Sequence, residues 1–483
     1  MMRPLVLLSL ALSAAPAAAQ TCHVLRGGAE TVIDAVVLDD TPTPRRAVTV
    51  IAPDGRITCT GPACRATTPS PTTIDCAADS LSPGYINPHD HIDFTGDPPA
   101  PDTGERYVHR HEWRIGLDGH RKVVENPNED PEIVAWGELR MLISGVTSIV
   151  GGGMAPGLIR NLDFPAGLEG LPIRPVTFQV FPLDDAPGIM RTADCNYGHH
   201  PSTRGDVAGS QAFLAHVAEG TGEAARNEFR CLSNSAYDTT AQADGGGTAH
   251  DLMMPNMTVL HGVGLTPDDL ARLQTSGATL VWSPRSNLSL YGRTLDVLTA
   301  ERLGIPIGLG TDWLPSGSMN MSREFACARR YSNDHLNHAL SDRTLWHMAT
   351  IGSATATHTQ ELLGRIAPST EADLVLYRPT AGGPYAAATH DEPGDIDLVM
   401  RGGRILYASA DIAENLALPG CEPLMVQGQP KRLCIRRDQP FSFAMLQQDM
   451  TEQHIYPLAF DHAPRDEPPC DTLEDHHSRH AAL

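Results

Sequence analysis

The hydrophobic positions of this chain fall in short runs, and most runs stop at a polar residue. Val32-Ile33-Asp34-Ala35-Val36-Val37-Leu38 and Ala47-Val48-Thr49-Val50-Ile51 read as strands, with a turn at Pro53-Asp54-Gly55 leading into Arg56-Ile57-Thr58. The same pattern returns late. Ala372-Asp373-Leu374-Val375-Leu376-Tyr377 is followed by Asp397-Leu398-Val399-Met400, a turn at Gly402-Gly403, and Arg404-Ile405-Leu406-Tyr407. These flanks predict a small β-sandwich domain assembled from residues 20–82 and 366–415. Between them the rhythm changes to strand and helix. Val146-Thr147-Ser148-Ile149-Val150 follows a helical stretch over 133–143, residues 173–181 are apolar and β-rich, and a helix is expected at 267–274. Phe213-Leu214-Ala215 runs into His216, Met257-Thr258-Val259-Leu260 into His261, and residues 278–282 into Ser283-Pro284. Residues 305–310 run into Thr311-Asp312. Strands alternating with helices imply a parallel sheet with crossover connections. Polar groups repeated at strand ends point to an α/β fold with a (β/α)8 TIM-like barrel over 83–365, active at the C-terminal face of its strands. Past residue 415 the periodicity fades, and 416–483 reads as a C-terminal extension ending in a solvated His476-His477-Ser478-Arg479-His480.

Composition narrows the function classes. The 483 residues are 41% hydrophobic and 19% charged, an ordinary globular mixture, and the formal charge is −22. That surface disfavours phosphate backbones and anionic lipid, so neither nucleic acid nor a membrane is the expected partner. Arg3, the apolar run 5–12 and Ala17-Ala18-Ala19 read as a signal peptide over 1–19, which makes an exported protein, periplasmic or secreted, with no membrane attachment after cleavage. Ten cysteines suit an oxidising compartment. Cys59, Cys64 and Cys76 cluster with Cys22, Cys195 and Cys231 bracket one loop-rich region, and Cys421 and Cys434 another; the connectivity stays open.

The candidate chemistry starts at Pro83-Gly84-Tyr85-Ile86-Asn87-Pro88-His89-Asp90-His91. Residues i and i+2 of a strand face the same side, so His89 and His91 can offer both imidazoles to one metal ion. His216 with Glu219, His261 and Asp312 stand at later strand ends. Imidazoles plus a carboxylate suit zinc or a similar divalent ion, and Glu219 is close enough in sequence to His216 to move protons in the same pocket.

These segments, in this order, resemble the amidohydrolase superfamily. The motif from Pro83 to His91 looks like its first-strand motif, and His216-Val217-Ala218-Glu219-Gly220 resembles the His-x-x-Glu of its mononuclear chlorohydrolase and cytosine-deaminase-like branch. Leu260-His261-Gly262, Trp282-Ser283-Pro284-Arg285-Ser286-Asn287 and Gly310-Thr311-Asp312-Trp313 resemble the later strand ends. The likeness covers roughly residues 30–410. It implies that His89, His91, His216 and Asp312 bind one divalent metal, zinc first, with iron or manganese also suited. It further implies that Glu219 shuttles protons, that His261 orients the attacking water or polarises the bond, and that Asp312 accepts the water proton. Binuclear members bridge two metals with a lysine on a middle strand; the only lysines here, Lys122 and Lys431, are not placed to do so, which favours one metal. Arg285, Asn287 and Trp313 are the expected substrate contacts, and residues 107–113 are where a lid over the substrate is expected. The reading is an exported metal-dependent hydrolase that cleaves a C–N bond of a small, cyclic nitrogen compound, by deamination or amide hydrolysis. A hydrolytic dehalogenase, a lactonase or a catalytically silent metal-binding barrel are the alternatives, and a homo-oligomer is left open.

Overall fold

The computed structural model of the protein describes residues 22–123, 126–240 and 248–475. The expected signal peptide and the terminal histidines lie outside them.

Both ends of the chain build one sheet. Along its hydrogen-bonded path the strands run Glu422–Val426, Gln429–Leu433, Arg404–Ser409, Ile396–Arg401, Leu374–Tyr377, Pro71–Pro83, Gly28–Val37, Arg45–Ile51 and Ile57–Gly61, with His23–Leu25 paired to Pro71–Pro83 as the tenth. The long strand Pro71–Pro83 joins the two ends of the sequence. It pairs parallel with Gly28–Val37 and antiparallel with Leu374–Tyr377, from Leu374 opposite Pro83 to Tyr377 opposite Ser80. Alternation does the rest: Ile33, Ala35, Ile74, Leu81, Leu374, Leu376, Leu398 and Met400 turn to one side and form a buried cluster. The sheet continues to Leu433, past the expected boundary at 415. Pro423, Pro430, Lys431 and Arg432 hide the period of those last two strands, and Glu422–Val426, at the end of the path, is where a sheet tolerates proline.

The middle of the chain supplies eight short parallel strands: β1 (Tyr85–Asn87), β2 (Val146–Ile149), β3 (Arg160–Asn161), β4 (Thr177–Gln179), β5 (Phe213–Val217), β6 (Met257–His261), β7 (Thr279–Trp282) and β8 (Ile307–Leu309). They form two arcs, β1 to β3 and β4 to β8, each in chain order. Backbone bonds tie the arcs at both seams: Val176 N–H donates to Leu162 O at 2.9 Å, and Asp312 N–H to His89 O at 2.9 Å. Except in β4, every residue of these strands is buried, as expected of a parallel sheet covered on both faces. The helix Pro131–Leu142 feeds β2, and Pro267–Ser276 lies between β6 and β7. The latter opens on a Thr266–Asp269 capping box and stops at Gly277, whose φ of 75° suits glycine.

All ten cysteines are paired: Cys22–Cys76, Cys59–Cys64, Cys195–Cys231, Cys327–Cys470 and Cys421–Cys434. Such a set belongs to an oxidising compartment. Among the described residues no helix is long and apolar enough to cross a membrane.

Candidate functional site

The C-terminal ends of the eight strands carry the site. At the seam between β1 and β8, Asn87 Nδ2 donates to Asp90 Oδ2 at 2.9 Å and Thr311 Oγ1 at 2.7 Å, and Thr311 Oγ1 donates to Asp90 Oδ2 at 2.7 Å. This knot holds His89 and Asp312 side by side. Gly310 allows the approach, because a Cβ there would lie 2.6 Å from that of His89. Three strand ends turn sharply through left-handed residues without being glycine: Ala218 (φ 56°), His261 (φ 67°) and Asp312 (φ 58°). Backbone held in that region costs about 1–3 kcal/mol per residue and is concentrated at working sites. The turn at Ala218 brings Glu219 back over the cluster that His216 enters from β5. It is held by Glu228, whose Oε2 accepts Ala218 N–H at 2.9 Å.

His89, His91 and His216 converge on one point, and Asp312 stands beside His89 in a second group with His261. His216 Nε2 lies 3.2 Å from both His89 Nε2 and His91 Nε2, and Asp312 Oδ1 lies 3.4 Å and 3.7 Å from those two nitrogens. Donors about 2.0–2.1 Å from a tetrahedral ion stand about 3.4 Å apart, so the spacing fits zinc. The tautomers fit as well. His216 Nδ1 faces Gln179 O at 3.2 Å, and a carbonyl only accepts, so the proton sits on Nδ1 and Nε2 presents its lone pair to the cluster. His89 Nδ1 is engaged by Ser283 Oγ at 2.8 Å. Burial, then the neighbouring imidazoles, hold His89 and His216 well below the usual histidine range, hence neutral and able to ligate. The residues present could therefore hold a divalent ion.

Beside this cluster, His261 Nδ1 donates to Asn287 Oδ1 at 2.9 Å, and the Asn287 amide is oriented by donation to Thr294 Oγ1 at 3.1 Å. His261 Nε2 is left buried with no protein partner, 3.6 Å from Glu219 Oε2 and 4.0 Å from Asp312 Oδ2. Glu219 is held from the other side: Tyr291 Oη donates to Oε1 at 2.7 Å and accepts from Trp113 Nε1 at 2.8 Å. Above the cluster opens a cavity of about 320 Å³, walled by Phe94, Trp113, Phe178, Phe181 and Trp313, with Asp93, Arg110, Arg114, Gly152 and Val180.

Of the residues expected to contact substrate, Trp313 lies in this wall. Arg285 and Asn287 do not. Both sit on the helix Pro284–Tyr291 that leaves β7, and both are fully engaged behind the site. Arg285 donates to Ser318 Oγ and Pro468 O at 2.6 Å each and pairs with Glu467 at 3.2 Å, so it anchors the C-terminal segment; Asn287 orients His261. The segment expected as a lid runs into a helix, Arg110–Ile115, buried from Arg110 to Trp113 and exposed at Ile115, which contributes Arg110, Trp113 and Arg114 to the wall. Lys431 is buried in the sheet and donates to Ile396 O at 2.6 Å, away from the cavity. Tyr291, Asp93 and the three phenylalanines escaped the sequence reading. Only Tyr291 had a signal, its position four residues after Asn287 on one helix.

The chain is similar to known proteins in sequence and fold. Residues 210–406 match the amidohydrolase family. A 5-methylthioadenosine/S-adenosylhomocysteine deaminase of Nitratidesulfovibrio vulgaris strain Miyazaki F is 32% identical over 206 residues, 40% of this chain and 44% of that protein. Its counterpart in strain DP4 is 27% identical over 381 residues, 70% of this chain and 81% of that protein. Among solved structures, the zinc complex of atrazine chlorohydrolase from Arthrobacter aurescens shares the fold, with a TM-score of 0.56 at 15% identity over 88% of this chain and 99% of the other.

Proposed function

We propose that the chain, whose residues 210–406 match the amidohydrolase family, is an exported deaminase of purine-like heterocycles with one divalent ion, zinc first. The eight strands are read as one closed (β/α)8 barrel, supported by the backbone bonds at both seams. Export is supported by five disulfides that leave no free cysteine among the described residues.

His89, His91, His216 and Asp312 would hold the ion. When bound, it supplies a water of lowered pKa and polarises the ring atom under attack. The remaining work falls to the chain. Asp312, with Oδ1 fixed by Trp313 N–H at 2.7 Å, accepts a proton from the attacking water on Oδ2. His261 Nε2, a buried lone pair with no protein partner, takes a hydrogen bond from the substrate side and orients it. Glu219 uses Oε2 to carry a proton to the departing nitrogen while Tyr291 keeps Oε1 in place. The aromatic walls stack on a flat ring and exclude water. The 5-methylthioadenosine/S-adenosylhomocysteine deaminase relatives supply the purine class. The observation that carries the reading is the pairing of Glu219 and His261 beside the convergent donors, which a metal store would not need.

The test is ammonia release from purine nucleosides and bases by the purified mature protein, with metal content per chain measured alongside. About one equivalent of metal and turnover of at least one purine are expected. Glu219→Gln should keep the metal and lose about 10²-fold or more of kcat, the usual worth of a positioned proton carrier. No ammonia from any purine, or full activity in Glu219→Gln, sinks the reading.

A further inference from the structure

Glu219, the proton carrier of the proposed reaction, sits on a turn that one residue outside the cavity holds from two sides. Ala218, with φ 56°, reverses the chain between His216 and Glu219, and its N–H donates to Glu228 Oε2 at 2.9 Å. On the other side, Glu219 O accepts Arg110 N–H at 3.1 Å, and Val108 O accepts the N–H groups of Thr221 and Gly222 at 3.0 and 3.1 Å. Residues 108–110 thus roof the turn, so closely that a Cβ on Gly220 would lie 2.3 Å from Val108 O. The second oxygen of Glu228 secures this roof: Oε1 lies 3.1 Å from His109 Nε2 and 3.3 Å from Arg110 Nη2. His109 Nδ1 accepts His111 N–H at 3.2 Å, so the ring proton sits on Nε2 and points to Glu228.

Glu228 is 1% exposed and does not line the cavity, so it acts through other residues. Counting donors shows why a carboxylate stands there. Ala218 N–H lies on one side and the His109 and Arg110 donors on the other, and at this length only an ionised carboxylate accepts on both. Glutamine would offer one acceptor to two sides and leave a buried donor facing a donor. We propose that Glu228 is a positioning residue for Glu219: it locks the turn at Ala218 to the roof of residues 108–110 and so fixes where Glu219 presents Oε2. The same stretch runs on to Trp113, whose Nε1 sets Tyr291 Oη against Oε1, so the backbone and the side chain of Glu219 share one support. The catalytic consequence rests on the proton-carrying role given to Glu219 above; the positioning rests on the geometry.

The experiment is a double-mutant cycle of Glu228→Gln and Glu219→Gln, read as kcat per bound metal on a purine that the parent deaminates. Glu228→Gln alone should lower kcat about tenfold or more, the worth of a hydrogen bond to a charged group, and leave KM within about twofold because the cavity lining is untouched. In the Glu219→Gln background the same change should cost less than about twofold, because changes that act through one carboxylate do not add. A residue that merely stabilised the fold would cost as much in both backgrounds. That result overturns the proposal, as does an unchanged kcat in Glu228→Gln. Should Glu228→Gln not fold, His109→Asn enters the cycle with the same outcomes, since it keeps an N-cap acceptor for His111 N–H and is too short to reach Glu228. If no purine is turned over, the function proposed above fails, and crystal structures of parent and variant decide the positioning. Glu219 Oε1 drawn away from Tyr291 Oη in the variant supports it, and the 2.7 Å contact retained overturns it.

Discussion

A carboxylate that carries protons needs one oxygen fixed and the other at liberty, and Tyr291 divides the labour in Glu219. Its hydroxyl takes Oε1 at 2.7 Å and is itself fixed by Trp113 Nε1, so Oε2 alone faces His261. Burial, then the nearby Glu219 charge, push the Tyr291 phenol well above its usual range, so it stays a donor throughout the working pH range. Tyr291→Phe removes one hydrogen bond to a charged group and keeps the ring in its buried site. We expect kcat to fall about tenfold or more with metal content unchanged, read by steady-state kinetics and metal analysis. An unaltered kcat would reduce Tyr291 to packing. At this scale the sequence disclosed the groups that end strands: His89, His91, His216, His261 and Asp312 follow apolar runs, and position along a strand was enough to bring them together. Arg285 and Asn287 follow a strand too, but they begin a helix, and the direction of a helical side chain depends on which neighbours surround the helix. For Arg285 those neighbours are Ser318 and Pro468, residues remote in sequence that no local pattern could supply.

Elements show the same division. Apolar runs revealed most of the parallel strands because their burial is continuous, but not β3, which is only Arg160 and Asn161, and alternation revealed most of the sheet. The strands Glu422–Val426 and Gln429–Leu433 were hidden, since a prolyl and basic edge has no period to read. The sheet also holds a group of acids that alternation could not expose. Asp79, on Pro71–Pro83, is buried against Asp397, and burial followed by the Asp397 charge push its carboxyl up to about 8; burial and the Asp395 charge push Asp391 up to about 9. The folded protein thus keeps protons that the unfolded chain releases near pH 4. Stability from these groups is complete below that pH and drains away as pH rises through 8 to 9. Asp79→Asn keeps a neutral donor toward Asp397 and removes one titrating acid. Denaturation from pH 5 to 8 should show a flatter profile than the parent and a gain of about 1 kcal/mol or more at pH 8. A profile parallel to the parent's, offset only by a constant, would show that Asp79 does not titrate in this range.

For the molecule as a whole, the C-terminal segment is the part whose role neither composition nor period announced. It returns across the helices behind the site and is fastened there at several points. Glu467 pairs with Arg323 at 2.7 Å and Arg285 at 3.2 Å, Asp471 pairs with Arg330 at 2.5 Å, and Cys470 is bonded to Cys327, 143 residues away in sequence. The fastening reaches the site. Leu473 N–H donates to Gly292 O at 3.0 Å, and a Cβ on Gly292 would lie 2.4 Å from Leu473 Cγ, so the segment rests on the residue that follows Tyr291. Gly292, with φ 60°, ends the helix Pro284–Tyr291, and any shift there is passed directly to the hydroxyl on Glu219. A long-range crosslink of this kind is worth about 2–5 kcal/mol. Replacing both partners, Cys327→Ser with Cys470→Ser, should lower the melting temperature by several degrees and lower kcat in the same direction as Tyr291→Phe, with metal content held. Combining it with Tyr291→Phe should then cost little further activity, because both changes act on one hydroxyl. If the cysteine pair lowers the melting temperature but leaves kcat alone, the segment stabilises the fold without supporting the site.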